Sequence, residues 1–205
     1  MILASASPRR YELLSECGLD VRVLPADIDE TRLDGETPVD LVRRLAEGKA
    51  HEAARAYGKP LDDALVAADT IVWDDGGDVL GKPADKSDAT RMLQVLSGVT
   101  HHVSTGVCVM VPSEQGAHES SFVETTDVTF RELTEAEIKA YVDSGEPMDK
   151  AGAYGIQGLG RLLVSRIKGD YPNVVGLPVM RTLQEIDRLN GNEALVIAAL
   201  GGKHA

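Results

Sequence analysis

The stretch from Ala64 to Trp73 constrains the fold most. It is apolar and β-branched except at Asp69-Thr70, so it reads as a central strand carrying one anomalous acid. Around it the chain alternates strand-like and helix-like segments. Met1 to Ala4 reads as a short buried strand, then a Ser-rich turn, then a helix opened by Pro8 that carries Leu13, Leu14 and Cys17 and stops at Gly18. Proline suits a first helical position because the N–H it lacks would be unsatisfied there. Val21 to Leu24 is a second short strand. Thr37-Pro38, with Asp40 behind it, starts a helix whose apolar residues Leu41, Val42, Leu45, Ala46, Ala50, Ala53 and Ala54 recur to Gly58.

Beyond the central strand, Gly76-Gly77 marks a turn and Val79-Leu80 a return strand. Ser87 is expected to cap a helix with Ala89, Met92, Leu93 and Leu96 on one face, closed by Gly98. His101 to Val111 and Ser121 to Phe130 are two long strands joined through Pro112 to His118. Thr134 and Glu137 form a capping box for a helix ending at Ser144-Gly145. Glu146 to Gly160 is irregular and glycine-rich, Leu162 to Ile167 is a strand, and Pro178 to Leu189 is the final helix. The fold class is α/β (mixed α+β), with residues 1–190 as a single domain and 191–205 as a loosely attached C-terminal tail.

A formal net charge of −12, from 33 acidic and 21 basic residues, argues against a general nucleic-acid binder, which needs a basic face. It leaves room for a small phosphorylated ligand in a locally basic pocket. Cys17 and Cys108 have no ligand spacing and read as reduced core residues. No leader precedes Leu3, and the longest apolar run, Ala194 to Leu200, is too short to span a bilayer. The expectation is a cytoplasmic protein with no membrane partner.

Five features carry possible chemistry. The strand–turn–helix at Ser5-Ala6-Ser7-Pro8 offers exposed N–H groups at a helix start. Arg9 and Arg10 follow in the first turn, where cations oppose the helix dipole. Either they point into solvent or they fork onto a polyanion such as a phosphate chain. Asp69, if buried, needs a partner. It is a strand-end acid bonded to a turn, or else a metal ligand or general base. With Glu30 it can supply the one or two carboxylates that hold Mg²⁺ while phosphates complete its shell. Lys82, between Gly81 and Pro83, is surface decoration or a point charge beside phosphate. Gln157 caps a turn or reads a base edge through its paired donor and acceptor. Lys49, at the margin of the helical stripe, snorkels or reaches a site. His101 and His102 face opposite sides of a strand and are assigned no role. Together these point to metal-assisted phosphate-ester hydrolysis.

The sequence resembles the Maf family of nucleoside triphosphate pyrophosphatases. The matching motifs run from Leu3-Ala4-Ser5-Ala6-Ser7-Pro8-Arg9-Arg10 through Asp29-Glu30, Leu45-Ala46, Lys49-Ala50, Ala68-Asp69-Thr70 and Gly81-Lys82-Pro83. They continue with Leu96-Ser97-Gly98, Thr105-Gly106-Val107 and Ser144-Gly145-Glu146-Pro147. The last blocks are Lys150 to Gly158, Gly169-Asp170-Tyr171 and Asn173 to Pro178. The resemblance implies a long, curved, mostly antiparallel sheet with flanking helices, in two lobes around a cleft. It implies hydrolysis of a nucleoside triphosphate to monophosphate and pyrophosphate with a divalent metal, Mg²⁺ or Mn²⁺, and a homodimer. By position, Asp69 resembles the proton acceptor, and Ser7, Arg10, Glu30, Lys49, Lys82 and Gln157 the rest of the polar site. Arg10, Thr70 and Gln157 resemble the branch acting on dTTP and UTP, with modified pyrimidine nucleotides as a variant of that reading. Ala6 departs from the serine more usual there. The competing expectation is a non-catalytic regulator of septum formation that binds nucleotide or a protein partner.

Overall fold

The computed structural model describes residues 1–201 of the chain. Its strands are β1 (Ile2–Leu3), β2 (Arg22–Val23), β3 (Leu65–Trp73), β4 (Val79–Leu80), β5 (Thr100–Ser113), β6 (Gly116–Phe130) and β7 (Val164–Lys168). They form one open sheet in the order β2-β1-β3-β5-β6-β7, with β4 on β3. The sheet is mixed. β1 runs parallel to β2 and β3, whereas β4 is antiparallel to β3 and β7 antiparallel to β6. Helices α1 (Pro8–Ser15), α2 (Pro38–Tyr57), α3 (Lys86–Leu96), α4 (Glu135–Asp143), α5 (Tyr171–Val175), α6 (Val179–Asn190) and α7 (Ala194–Leu200) flank it. The mixed α/β class expected from the sequence is the one observed.

The chain divides into two compact units, with β3, β5 and β6 contributing residues to each. The first comprises 1–69, 105–123 and the chain from Gly176 on. Its strands are covered on both faces, and the period of two sorts them. Ile2, Leu65, Ala67, Cys108 and Met110 pack with Ala46, Ala50 and Ala53 of α2. Leu3, Val66, Ala68, Val107 and Val109 pack with Leu14 of α1 and with Leu183 and Ile186 of α6. α2 lies so close to the sheet that a side chain at Gly106 would come within 2.1 Å of the Val42 carbonyl oxygen. The second unit comprises 70–104 and 124–175. Its core holds Val72, Leu80, Val103, Val128 and Phe130 against α3, α4 and Tyr154.

Local signals explain most boundaries. Thr37 caps α2 by accepting from Asp40 N–H, and α2 ends at Gly58 with φ +70°. The Thr134–Glu137 capping box is complete. Three differences have physical causes. α3 starts at Lys86, because the Asp85 side chain takes the Asp88 N–H, so Ser87 lies inside the helix rather than capping it. The hairpin between β5 and β6 closes over Glu114-Gln115, so Pro112 belongs to a strand. The irregular segment forms three short 3-10 helices, at Glu146–Asp149, Ala151–Ala153 and Gly158–Leu162. Within the expected tail, α7 docks Leu195, Val196 and Ala199 on the first unit's core. The Leu195 and Val196 N–H groups donate to the buried Asp187 carboxylate at 2.9 Å each. Residues 202–205 of that tail lie outside the described residues.

Candidate active site

Asp69 has the same strand parity as Leu65 and Ala67, so it faces α2. On α2, Lys49 lies three residues past Ala46, at the edge of the stripe that packs on those strands. These two periodicities put Lys49 Nζ 2.6 Å from Asp69 Oδ1. The same ammonium lies 2.6 Å from Glu30 Oε1. Lys49 and Asp69 side chains are 12% and 13% exposed against 58% for Glu30, so the pair is shielded and opens to solvent on the Glu30 side.

The loop carrying Glu30 is anchored to α2. A Cβ at Gly48 would stand 3.0 Å from Ile28 Cδ1, so Ile28 sits on the helix beside Lys49. Asp29 Oδ1 accepts the Thr31 N–H at 2.9 Å, and Arg44 donates to the Thr31 carbonyl at 3.0 Å. Arg44 also forks onto Glu36 at 2.6 and 2.9 Å. Those hydrogen bonds hold the Glu36 carboxyl down at about 2.

In the same unit, Arg10 is buried beneath the Ser-rich turn. Its Nε donates to the Gly176 carbonyl at 2.8 Å and its Nη1 to Ser5 Oγ at 3.0 Å. Ser5 Oγ also accepts the Ser7 N–H at 3.2 Å. Burial lowers the Arg10 pKa, while the charges of Asp69 and Glu30 raise it and that of Arg9 lowers it. The guanidinium thus shares an electrostatic environment with the acids of the site. The Ser7 side chain makes no cap bond, and Arg9 is half-buried.

The structure therefore gathers Glu30, Lys49 and Asp69 into one cluster in the first unit, with Arg10 in their field. Thr70, Lys82 and Gln157 belong to the second unit. There, Lys82 is exposed on the Gly81-Lys82-Pro83 turn and Thr70 is half-buried. Gln157 is exposed and opens the last 3-10 helix. It lines a cavity of about 600 Å³ with Arg166 and Tyr171. His101 and His102 do face opposite ways. His101 is buried on the Tyr154 hydroxyl at 2.8 Å, and His102 lies between Asp127 and Asp75. Sequence reasoning missed Ser5 and Gly176 as the partners that orient Arg10. Ser5 was visible in the Ser-rich turn, whereas nothing local marks a carbonyl 166 residues away.

Among the described residues, no group of three or more His, Cys, Asp or Glu side chains is placed to hold a metal ion. Glu30 and Asp69 nevertheless fit a divalent cation of the Mg²⁺ type. Both carboxylates converge on one positive group, and such ions take one or two protein carboxylates plus substrate phosphates.

The first unit thus holds a shielded acid–lysine pair, an acid opening to solvent and a buried arginine under a helix start. The profile of the family described as Maf-like protein matches residues 1–189, and the chain belongs to that family. A dTTP/UTP pyrophosphatase of Geobacter sp. (strain M21) is 49% identical over 202 residues, covering 98% of this chain and 97% of that one. The dTTP/UTP pyrophosphatase of Koribacter versatilis (strain Ellin345) is 48% identical, covering 92% and 93%. That of Bacillus anthracis is 46% identical, covering 93% and 95%.

Proposed function

We propose that this chain is a nucleoside triphosphate pyrophosphatase acting on dTTP and UTP, releasing the monophosphate and pyrophosphate. The observation that carries this reading is the Asp69–Lys49–Glu30 cluster, in a chain 46–49% identical to relatives named for that activity. Asp69 is the residue that accepts a proton from the attacking water as its oxygen bonds the α-phosphorus and the bridging bond to the β-phosphate breaks. Pyrophosphate departs with the bridging oxygen. Lys49 keeps Asp69 oriented and neutralises charge close to it.

Arg9, Arg10, Ser7 and the N–H groups opening α1 bind phosphate oxygens, and Lys82 adds a point charge. Thr70 and Gln157 select the pyrimidine, with Arg10 contributing to that preference. Polar groups that a wrong base leaves unpaired penalise it. Glu30 and Asp69 would hold a divalent cation, Mg²⁺ or Mn²⁺, which when bound offsets the charge of the phosphates.

The domain from residue 1 to 190 carries the activity, and the tail from 191 supplies none of its site residues. We place the enzyme in the cytoplasm as a homodimer, without nucleic-acid or membrane partners. No helix among the described residues is long and apolar enough to cross a membrane. The test is product analysis with a panel of canonical and modified triphosphates, with Mg²⁺, with Mn²⁺ and after chelation. The reading expects pyrophosphate rather than orthophosphate from dTTP and UTP, lost on chelation and restored by either ion. Preference for a modified pyrimidine triphosphate would keep the chemistry and change the substrate. No release from any of them would leave a nucleotide-binding regulator as the better account.

A further inference from the structure

The backbone around Gln157 is fixed by two side chains that take no part in the chemistry above. Glu146, at the start of the first 3-10 helix, turns its carboxylate into the loop. It accepts the Leu159 N–H at 2.8 Å on Oε2, and on Oε1 the Gly160 N–H and the Tyr141 hydroxyl at 3.0 Å each. The Tyr141 hydroxyl oxygen in turn accepts the Gly155 N–H at 3.3 Å. The chain is therefore held two residues before Gln157 and two and three residues after it.

The fit leaves no room for slack. Gly158 sits at φ +63°, where a Cβ would meet Glu146 Oε2 at 2.6 Å. At Gly160 a Cβ would meet the Gly155 carbonyl oxygen at 2.1 Å and the Tyr141 hydroxyl at 2.7 Å. Burial alone would raise the Glu146 pKa, but the two backbone N–H groups, Tyr141 and nearby Lys150 together lower it. Glu146 stays an acceptor-only carboxylate, the form this arrangement of donors requires. Gln157 itself is left exposed on the cavity it shares with Arg166 and Tyr171. A tightly held backbone presenting one free amide toward open volume is how a reading side chain is pre-organised.

We propose that Glu146, with Tyr141, is the positioning residue that sets how Gln157 reads the base, and thereby fixes how the enzyme selects among pyrimidine bases. This rests on the reading of Gln157 as the side chain that reads the base. Glu146→Gln keeps the shape but replaces one acceptor oxygen by a donor amide, leaving one loop N–H without its partner. Tyr141→Phe removes only the hydroxyl that ties Glu146 to Gly155.

The experiment compares kcat and KM for dTTP, UTP and dCTP in wild type, Glu146→Gln, Tyr141→Phe and Gln157→Ala, with Tm as the control for folding. Expected in Glu146→Gln is a roughly tenfold fall in the dTTP-to-dCTP ratio of kcat/KM, carried by KM, with kcat changed far less. Tyr141→Phe is expected to move the ratio the same way by a smaller factor, and it decides the matter if Glu146→Gln does not fold. A ratio unchanged in both folded variants, with only Tm lowered, overturns the proposal and leaves Glu146 a stabilising group. A ratio unchanged in Gln157→Ala overturns it from the other side, with hydrolysis itself intact. A wild type that hydrolyses none of the three fails earlier, at the parent reading, and takes this one with it.

Discussion

Lys49 Nζ donates to Asp69 Oδ1 at 2.6 Å across 20 residues of sequence. A helix period and a strand period have to agree for that bond to form. Lys49 is also 2.6 Å from Glu30, so one lysine joins the two acids to which we assign the proton and the metal. Replacing it by Met keeps the length and removes the charge. We expect Lys49→Met to lower kcat/KM for dTTP about 100-fold, the scale seen when one pre-organised electrostatic group is removed. Steady-state kinetics beside a melting curve checks this, because a merely structural ion pair would lower Tm and spare turnover.

Arg10 uses the geometry of its fork, with Nε on the Gly176 carbonyl and Nη1 on Ser5 Oγ. Lysine's three N–H donors all sit on one atom, so it lacks the planar fork whose separate nitrogens reach these two acceptors. Arg10→Lys is expected to cost about 2 kcal/mol of stability. It should also raise KM for the triphosphate about tenfold through a displaced turn. Urea unfolding and initial-rate kinetics measure the two effects separately.

His101 carries a pH dependence. Burial, helped by the neighbouring charge of His102, lowers its pKa to about 4 from 6.5. The unfolded chain therefore binds a proton between pH 6.5 and 4 that the folded chain refuses. This group's share of stability is present in full above pH 6.5 and is lost as pH falls to 4, about 3 kcal/mol in all. Unfolding free energies at pH 7.5, 5.5 and 4.5 should fall accordingly, and His101→Phe should flatten that part of the curve.

Much of this was legible in the chain. The Thr37-Pro38 start, the Thr134–Glu137 box and the lone acid in Ala64–Trp73 are signals within a few residues, and each has its expected structural form. What stayed hidden spans long separations. The partners of Arg10, the anchoring of the Glu30 loop by Arg44 and the convergence on Lys49 depend on which surfaces the sheet brings together. α7 was hidden for another reason. Its seven residues, Ala194 to Leu200, read as a stray apolar run until Asp187 is seen to accept two of its N–H groups.

That bonding makes the end of the chain matter. Deleting 192–205 removes both donors to Asp187, which is 4% exposed, and uncovers the core under Leu195 and Val196. We expect a loss of about 3 kcal/mol, from two charge-assisted hydrogen bonds and the apolar cover that α7 provides. Thermal unfolding of the truncated chain against the full one reads it directly.

The most direct test of the central claim is pyrophosphate release from dTTP by wild type and Asp69→Asn, with Mg²⁺ present and folding verified by Tm. Asparagine keeps the size of the side chain and removes its charge and its capacity to take a proton. The account predicts rapid release by wild type and a fall in kcat of about 1,000-fold or more in the variant, the range in which general-base loss and disruption of the Lys49–Asp69–Glu30 cluster combine. A folded Asp69→Asn protein that released pyrophosphate at the wild-type rate would contradict it.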